Sequence, residues 1–166
     1  MHANAVLLQR LFDSLDRHDH ETMAGCYQPD ATFRDIAFDL RGRPQIKAMW
    51  HMICDTDIRA TYQVLQADDH DGCVHVVDHY TFTDTQRKVR NVIESRLRFR
   101  GGLIVEHSDV CDPRAWAATA LGGAKGFLAG RIRLLRSQTA HRKLEQFVRA
   151  HPEYRQLTAG AVGDMT

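Results

Sequence analysis

The sequence predicts an α+β domain in which a curved antiparallel sheet wraps around three N-terminal helices and a helical extension follows. In the first third of the 166 residues, apolar side chains recur at the spacing of amphipathic helices. From Ile58 onward they alternate with polar side chains, as in half-buried strands. Helices followed by a run of strands are typical of the α+β class. A hydrophobic content of 43% is enough to build one core.

Three helices are predicted before the long strands. The first begins with Asn4 as its cap, and its apolar face consists of Val6, Leu7, Leu8, Leu11, Phe12 and Leu15. Asp19 caps a short second helix, which ends at Gln28-Pro29-Asp30 because the residue before a proline avoids the helical conformation. The third helix begins at Pro44, and its apolar face consists of Ile46, Met49, Trp50 and Ile53.

The strands are predicted from alternation and from the turn signals between them. We expect strands at residues 31–36, 38–40, 58–64, 74–83, 89–100 and 103–111. The last two are joined by the Gly101-Gly102 pair, which is typical of a two-residue hairpin. A curved sheet of this kind leaves a cavity between itself and the helices.

After residue 112 the sequence becomes helical again. Asp112 caps a helix that begins at Pro113, and Gly122-Gly123 interrupts it. Residues 125–155 carry eight Lys or Arg and two Asp or Glu, a local charge of +6, with Phe127, Leu128, Ile132, Leu135 and Phe147 between the charges. We expect this segment to pack across the pocket mouth or against a second subunit. The predicted organisation is a domain at 1–112, a helical extension at 113–154 and a frayed tail at 155–166.

Composition excludes several classes of protein. The 22 Lys and Arg nearly balance the 21 Asp and Glu, so the net charge of +1 argues against nucleic-acid binding. No apolar run reaches the roughly 18 residues of a membrane span, no signal peptide is visible, and a peripheral membrane contact is not expected. The scattered Cys26, Cys54, Cys73 and Cys111 indicate reduced thiols in a cytoplasmic protein, with no metal site.

One carboxylate breaks an apolar row. In the strand after Gly72, alternate side chains place Val76, Asp78, Tyr80 and Phe82 on the apolar face, which we expect to lie inside. An ionised carboxylate is costly to bury unless it is paired, hydrogen-bonded or hydrated. Asp78 is therefore the first candidate for a functional residue.

The next two strands add further polar groups. The inner face of residues 89–100 is predicted to carry Asn91, Ile93, Ser95, Leu97 and Phe99, and the charged outer face meets solvent or another subunit. In the last strand, one set contains Ile104, Glu106, Ser108 and Val110, and the other contains Val105, His107, Asp109 and Cys111. The local pattern does not choose between the two sets.

Four segments resemble the nuclear transport factor 2-like superfamily, also called SnoaL-like or ketosteroid-isomerase-like. They are the helix at 7–15, the pattern Y-x-P-D-A-x-F-x-D at 27–35, R-G-R at 41–43, and the closing strands N-V-I-E at 91–94 and G-L-I-V-E-H-x-D-x-x-D at 102–112. The resemblance implies a cone-shaped barrel with a mainly apolar pocket, commonly in a homodimer.

Among enzymes of that superfamily, the limonene epoxide hydrolases have the most similar layout. The resemblance implies that Asp78 and Asp109 match their two aspartates and that Asp35 stands where they have an asparagine. The resemblance also implies that the side chains of Asp109 and His107 face the inside of the sheet. Val76 and Phe33 occupy positions where those enzymes have an arginine and a tyrosine, so this chain departs from their pattern.

The sequence therefore predicts a pocket that binds a small, largely apolar organic molecule. We expect catalysis by general acid–base chemistry, with neither metal nor organic cofactor, through Asp35, Asp78, Asp109 and His107. The reaction could be an isomerisation, a dehydration, a cyclisation or a hydrolysis. The residues expected to line the pocket are Phe33, Trp50, Tyr80, Asn91 and Phe99. The alternative is a ligand-binding or dimeric assembly module without turnover, in which Asp35 caps a turn and His107 is a hydrogen-bonded core residue.

Overall fold

The computed structural model describes residues 1–122, 132–154 and 156–157, and it describes the side chains of the last long helix from residue 139 onward. The elements, in chain order, are α1 (Ala3–Asp16), α2 (His20–Ala24), β1 (Tyr27–Arg34), β2 (Asp39–Arg41), α3 (Arg43–Cys54), β3 (Arg59–Ala67), β4 (Asp71–Phe82), β5 (Arg87–Arg100), β6 (Leu103–Cys111), α4 (Pro113–Leu121), α5 (Ile132–Ala150) and a 3-10 helix (Pro152–Tyr154). The predicted α+β class is confirmed.

The six strands form one curved sheet in the order β2-β1-β6-β5-β4-β3. Four of the five described strand pairs are antiparallel, as expected, and β1 runs parallel to β6. Parallel neighbours need a long crossover, and the chain between β1 and β6 supplies it through α3 and four strands. The barrel implied by the resemblance is also not closed, since β2 and β3 remain edge strands.

Two predicted boundaries at the N-terminal end are wrong. The side chain of His2, and not that of Asn4, accepts the capping hydrogen bond of α1, while Asn4 donates to the carbonyl of Asp68 at 2.8 Å. Strand β1 begins at Tyr27, four residues before the predicted start. Pro29 is tolerated there because the β1–β6 pairing is irregular between Tyr27 and Thr32.

Burial along the strands confirms the predicted inner faces of β4 and β5. On β4, Val74, Val76 and Asp78 are buried, and their neighbours in the chain are exposed or half-buried. On β6, the pairing with β5 shifts between Arg98 and Phe99, so a bulge separates Ile104 from His107. Both of these residues are buried, although their spacing does not fit a regular strand.

The C-terminal helices pack against the domain. Trp116, Ala117 and Ala120 of α4 form a cluster with Val89, Tyr80 and Phe82 of the sheet, and α4 ends before Gly122, whose φ of +81° suits glycine. Leu144 and Val148 of α5 join the main core. Gly123, Lys125, Phe127, Leu128 and the end of the tail lie outside the described residues, as do the side chains of Ile132 and Leu135. None of the described helices has the length and hydropathy needed to cross a bilayer.

The core around Gly72 of β4 is packed so tightly that this position requires a glycine. A Cβ atom on Gly72 would lie 2.8 Å from Cζ of Phe99 and 3.1 Å from Cδ1 of Leu8. Gly72→Ala should therefore lower the free energy of unfolding by about 1–3 kcal/mol through overpacking. Urea denaturation measures this loss. Gly25→Ala is the control, because its Cβ meets nothing closer than 3.4 Å; equal stability losses in the two variants would contradict the packing argument.

Candidate active site

Asp78 lies on the inner face of β4, between Ala60 of β3 and Asn91 of β5. Its residue exposure is 8%, and its buried Oδ1 has no hydrogen-bond partner among the residues that the structure describes. Burial, together with the nearby charge of Asp109, raises the pKa of the Asp78 carboxyl to about 7. The carboxyl therefore changes protonation close to neutral pH.

Asp109 differs from Asp78 because two donors hold its carboxylate. The hydroxyl of Ser95 donates to Oδ1 over 2.5 Å, and Nε2 of His107 lies 2.9 Å from the same oxygen. Asp109 and Ser95 are opposite each other in the β5–β6 pairing, so the sheet itself sets this contact. Among the described residues, these hydrogen bonds all end at Oδ1, which leaves Oδ2 for a substrate or a water molecule.

A chain of buried hydrogen bonds continues behind His107. The Tyr27 hydroxyl lies 2.8 Å from Nδ1 of His107, and Nε1 of Trp50 donates to that hydroxyl over 3.1 Å. Because the indole nitrogen can only donate, the hydroxyl accepts from Trp50 and can donate to Nδ1. A neutral His107 with its proton on Nε2 then satisfies every group in the chain, including Asp109.

Sequence reasoning missed Tyr27 and Ser95 as site residues. Tyr27 was visible as the first residue of the Y-x-P-D-A-x-F-x-D pattern, but the irregular β1 hid which face it occupies. Ser95 was predicted on the inner face of β5. Its position opposite Asp109 in the β5–β6 pairing is the signal that could have identified it as a site residue. Burial raises the pKa of Tyr27 well above its usual value, so its hydroxyl stays protonated.

Beside Asp109 lies a small recess of about 30 Å³, lined by Asp35, Ile36, Asn91, Ile93, Asp109 and Cys111; Asp78 is not among the residues that line it. A volume of this size holds one or two water molecules. This recess is smaller than the substrate-sized apolar pocket expected from the sequence, and that pocket stays a prediction. A wider groove of about 230 Å³ borders β1, β2 and β6, but charged and polar residues line it, and it contains neither Asp78 nor Asp109.

Asp35 lines the recess and also caps a turn. Its Oδ1 accepts hydrogen bonds from the backbone of Ala37 at 2.6 Å and of Phe38 at 2.5 Å. This geometry is the turn-capping alternative considered for Asp35 from the sequence. The structure thus gives this side chain a local structural role at the edge of the recess, and its catalytic role stays a prediction.

The residues expected to line the pocket divide into three groups. Asn91 borders the recess. Phe33 and Trp50 surround the ring of His107, and the centroid of the Phe33 ring lies 5.0 Å from that of His107. Tyr80 accepts a hydrogen bond from the indole of Trp116 on α4 over 2.7 Å, and Phe99 packs against Gly72 in the closed core; neither borders the recess.

Comparison with known families agrees with this fold and with this set of strands. Residues 8–107, which include β1 to β5 and the first half of β6, match the model of the SnoaL-like domain. The chain belongs to the SnoaL-like family. Asp109 lies just beyond the matched residues, while Asp78, Asn91 and His107 lie within them. No curated protein sequence matches the chain.

Several solved structures share the fold at low sequence identity. IdmH, a putative polyketide cyclase from Streptomyces antibioticus, is 24% identical over 74% of this chain and 100% of its own, with a TM-score of 0.61. An LEH-like epoxide hydrolase from M. tuberculosis is 14% identical over 78% and 96%, with a TM-score of 0.60. A ketosteroid isomerase-like protein from Catenulispora acidiphila, in complex with trimethylamine, is 16% identical over 71% and 94%, with a TM-score of 0.62.

The buried carboxyl makes stability depend on pH. Folding raises the pKa of Asp78 from its ordinary 3.8 to about 7, so its favourable contribution is complete below pH 3.8 and is lost as the pH rises through 7. Asp78→Asn cannot ionise, and its stability relative to the native protein should increase by about 2–4 kcal/mol between pH 4 and pH 8.

Urea denaturation at several pH values measures this difference between the variant and the native protein. The control is Asp39→Asn, which changes an exposed aspartate paired with Arg34. A difference between Asp78→Asn and the native protein that stays constant with pH would show that Asp78 is not a buried ionisable group.

Proposed function

We propose that the protein is an enzyme that acts on a small, largely apolar organic molecule by general acid–base catalysis through Asp78 and Asp109. One observation carries the proposal: a buried carboxyl oxygen without a described partner lies near a second carboxylate that two donors hold in place. A carboxyl group buried without a hydrogen bond destabilises the fold. The burial of Asp78 without a partner is explained if a bound substrate supplies the missing hydrogen bond.

The two carboxyl groups have different environments, and this difference assigns their roles. Asp109 accepts hydrogen bonds from Ser95 and His107 on Oδ1, which hold the carboxylate in place as a general base with Oδ2 available to the substrate. Asp78 lacks such donors, and its pKa of about 7 leaves about half of the carboxyl protonated at neutral pH. It is therefore the general acid, since an acid works best when its pKa is near the working pH.

His107 is a positioning residue in this mechanism. Its Nε2–H orients Oδ1 of Asp109, and Tyr27 fixes the ring from the other side. When Asp109 takes a proton from the substrate on Oδ2, the hydrogen bonds to Oδ1 stay in place. Asp109 then returns that proton to another atom of the substrate or to a leaving group. Asp78 donates its proton to the substrate oxygen on which negative charge develops, and takes the proton back when that charge is lost.

Two aspects of the chain support a small organic substrate. The recess has apolar walls from Ile36 and Ile93 beside its polar groups, as is usual in small-molecule sites. Two of the similar structures are a putative polyketide cyclase and an LEH-like epoxide hydrolase, and both of these names refer to reactions of small organic molecules. The missing arginine and tyrosine, at Val76 and Phe33, argue against epoxide opening by the same mechanism and favour the ligand-binding alternative. This proton-transfer chemistry draws on neither a metal nor an organic cofactor.

A substrate must enlarge the recess, since about 30 Å³ admits only water. The cluster of Trp116 with Tyr80 and Phe82 lies on the same sheet face as Asp78, two residues along β4. We infer that α4 moves away from this face when the substrate enters. A homodimer, a cytoplasmic location and the division into a domain at 1–112, an extension at 113–154 and a frayed tail at 155–166 remain predictions from the sequence.

A ligand-binding module without turnover is the second candidate. The observation that favours it is that protein groups already engage both ring nitrogens of His107, as in a structural core histidine. Both candidates bind a small molecule beside Asp109. The two candidates differ in the effect of replacing a carboxylate: in an enzyme it lowers the rate of a reaction, and in a binding module it changes only the affinity for the ligand.

Two probe reactions separate these candidates. The isomerisation of 3-cyclohexen-1-one to the conjugated ketone needs only an acid and a base, and the hydrolysis of styrene oxide adds water. The proposal predicts turnover of at least one probe. Asp78→Asn and Asp109→Asn should each lower kcat/KM at least about 100-fold, as expected for loss of a general acid or base. Asp39→Asn should leave kcat/KM unchanged.

The contradicting outcomes are equally definite. If neither probe reacts faster than without protein, while the fluorescence of Trp50 and Trp116 shows that the ketone binds, the binding-module account replaces the proposal. If a probe reacts at the same rate in the native protein and in both carboxamide variants, the catalytic groups lie elsewhere.

A further inference from the structure

A second cluster of polar side chains lies where α5 and the 3-10 helix after it meet α3. One possible ligand atom from each of His51, His151 and Glu153 lies within 4.8 Å of the other two. Nδ1 of His51 is 4.0 Å from Oε1 of Glu153. None of these three residues lines the recess beside Asp109, so this cluster is separate from the proposed active site.

One nitrogen of each imidazole ring faces a polar group of the protein: a hydrogen bond holds that of His151, and a more distant carboxylate faces that of His51. Nδ1 of His151 is 2.8 Å from the carbonyl of Phe147 and donates to it, because a carbonyl oxygen can only accept. This leaves Nε2 of His151 as an acceptor. Nε2 of His51 lies 3.9 Å from Oδ1 of Asp55, which leaves Nδ1 to face Glu153 and the hydroxyl of Tyr154.

The hydrogen bond of His151 is of the kind found around metal-binding histidines, where the second ring nitrogen donates to a carbonyl or a carboxylate. Ring packing fixes the orientation of both imidazoles. His20 stacks on His51 with a centroid distance of 3.7 Å and an interplanar angle of 11°, and Phe147 stacks on His151 at 3.9 Å. Two imidazoles and a carboxylate are ligands that Zn²⁺ and related divalent cations prefer, with an open fourth position.

We propose that His51, His151 and Glu153 bind a divalent transition-metal ion, with Zn²⁺ as the fitting cation. The ion replaces the hydrogen bond between Tyr154 and His51. Tetrahedral coordination with bonds of about 2.0–2.1 Å requires ligand atoms about 3.3 Å apart, so the side chains close in by roughly 1 Å. His51 belongs to α3, while His151 and Glu153 come directly after α5 in the chain. The ion therefore links the helical extension to the domain.

The test uses the full chain without a polyhistidine tag, stripped with EDTA and titrated with Co²⁺ and with Zn²⁺. We expect one Co²⁺ per chain, with the visible absorption of a four-coordinate ion. Zn²⁺ at about 100 times its Kd should raise Tm by roughly 5–10 °C and slow amide hydrogen exchange within α5.

Three variants make the test specific. His151→Gln and Glu153→Gln should each weaken Co²⁺ binding at least about 100-fold, since changes outside the ligand set alone cost 10- to 100-fold. Glu153 is 49% exposed, so its variant keeps the fold even if His151→Gln loses it. His75→Gln is the control, because His75 is an exposed histidine on β4.

The proposal is overturned if the stripped protein binds no Co²⁺ and Zn²⁺ leaves Tm unchanged. It is also overturned if binding persists unweakened in Glu153→Gln, which would place the ion on other surface histidines. Binding without slower hydrogen exchange in α5 would refute the fastening of the extension.

Discussion

The structure depends on a buried chain of hydrogen bonds that runs from Trp50 through Tyr27 and His107 to Asp109 and Ser95. These five residues come from α3, β1, β6 and β5, so the chain connects the helical layer to the centre of the sheet. Each polar group in it has a partner, which makes burial acceptable. Asp78, two strands away from Asp109, differs from these residues because its Oδ1 has no hydrogen-bond partner among the described residues. This unpartnered oxygen indicates a functional site, since a purely structural polar core satisfies its buried groups.

Much of this arrangement could be predicted where the pattern is local. The alternation of β4 and β5 is regular, so Val76, Asp78, Asn91 and Ser95 were placed on the inner face by parity alone. Asp78 stood out there because a carboxylate interrupted an apolar row. Capping by Asp19 and Asp112 was predictable for the same reason, since a cap acts within three residues of its own position.

Features that depend on irregular backbone or distant contacts could not be predicted in this way. The bulge in β6 puts Ile104 and His107 on one side, so no choice of parity describes that strand. The irregular pairing of β1 hid the inward position of Tyr27, and the parallel β1–β6 pair is invisible to local pattern. His51 and His151 are a hundred residues apart in the chain, so no local pattern indicates that their side chains meet. The small size of the recess depends on packing that no pattern records.

The central claim is that Asp78 is a buried carboxyl group that changes protonation near neutral pH beside an ionised Asp109. A direct test is a titration of the ¹³C-labelled aspartate carboxyl groups by NMR, with Asp78→Asn used to assign the signal. The account predicts a pKa of about 7 for Asp78, which falls when Asp109→Asn removes the neighbouring charge and stays above 3.8 because burial remains. An Asp78 signal that titrates near 3.8 in the native protein would contradict the account.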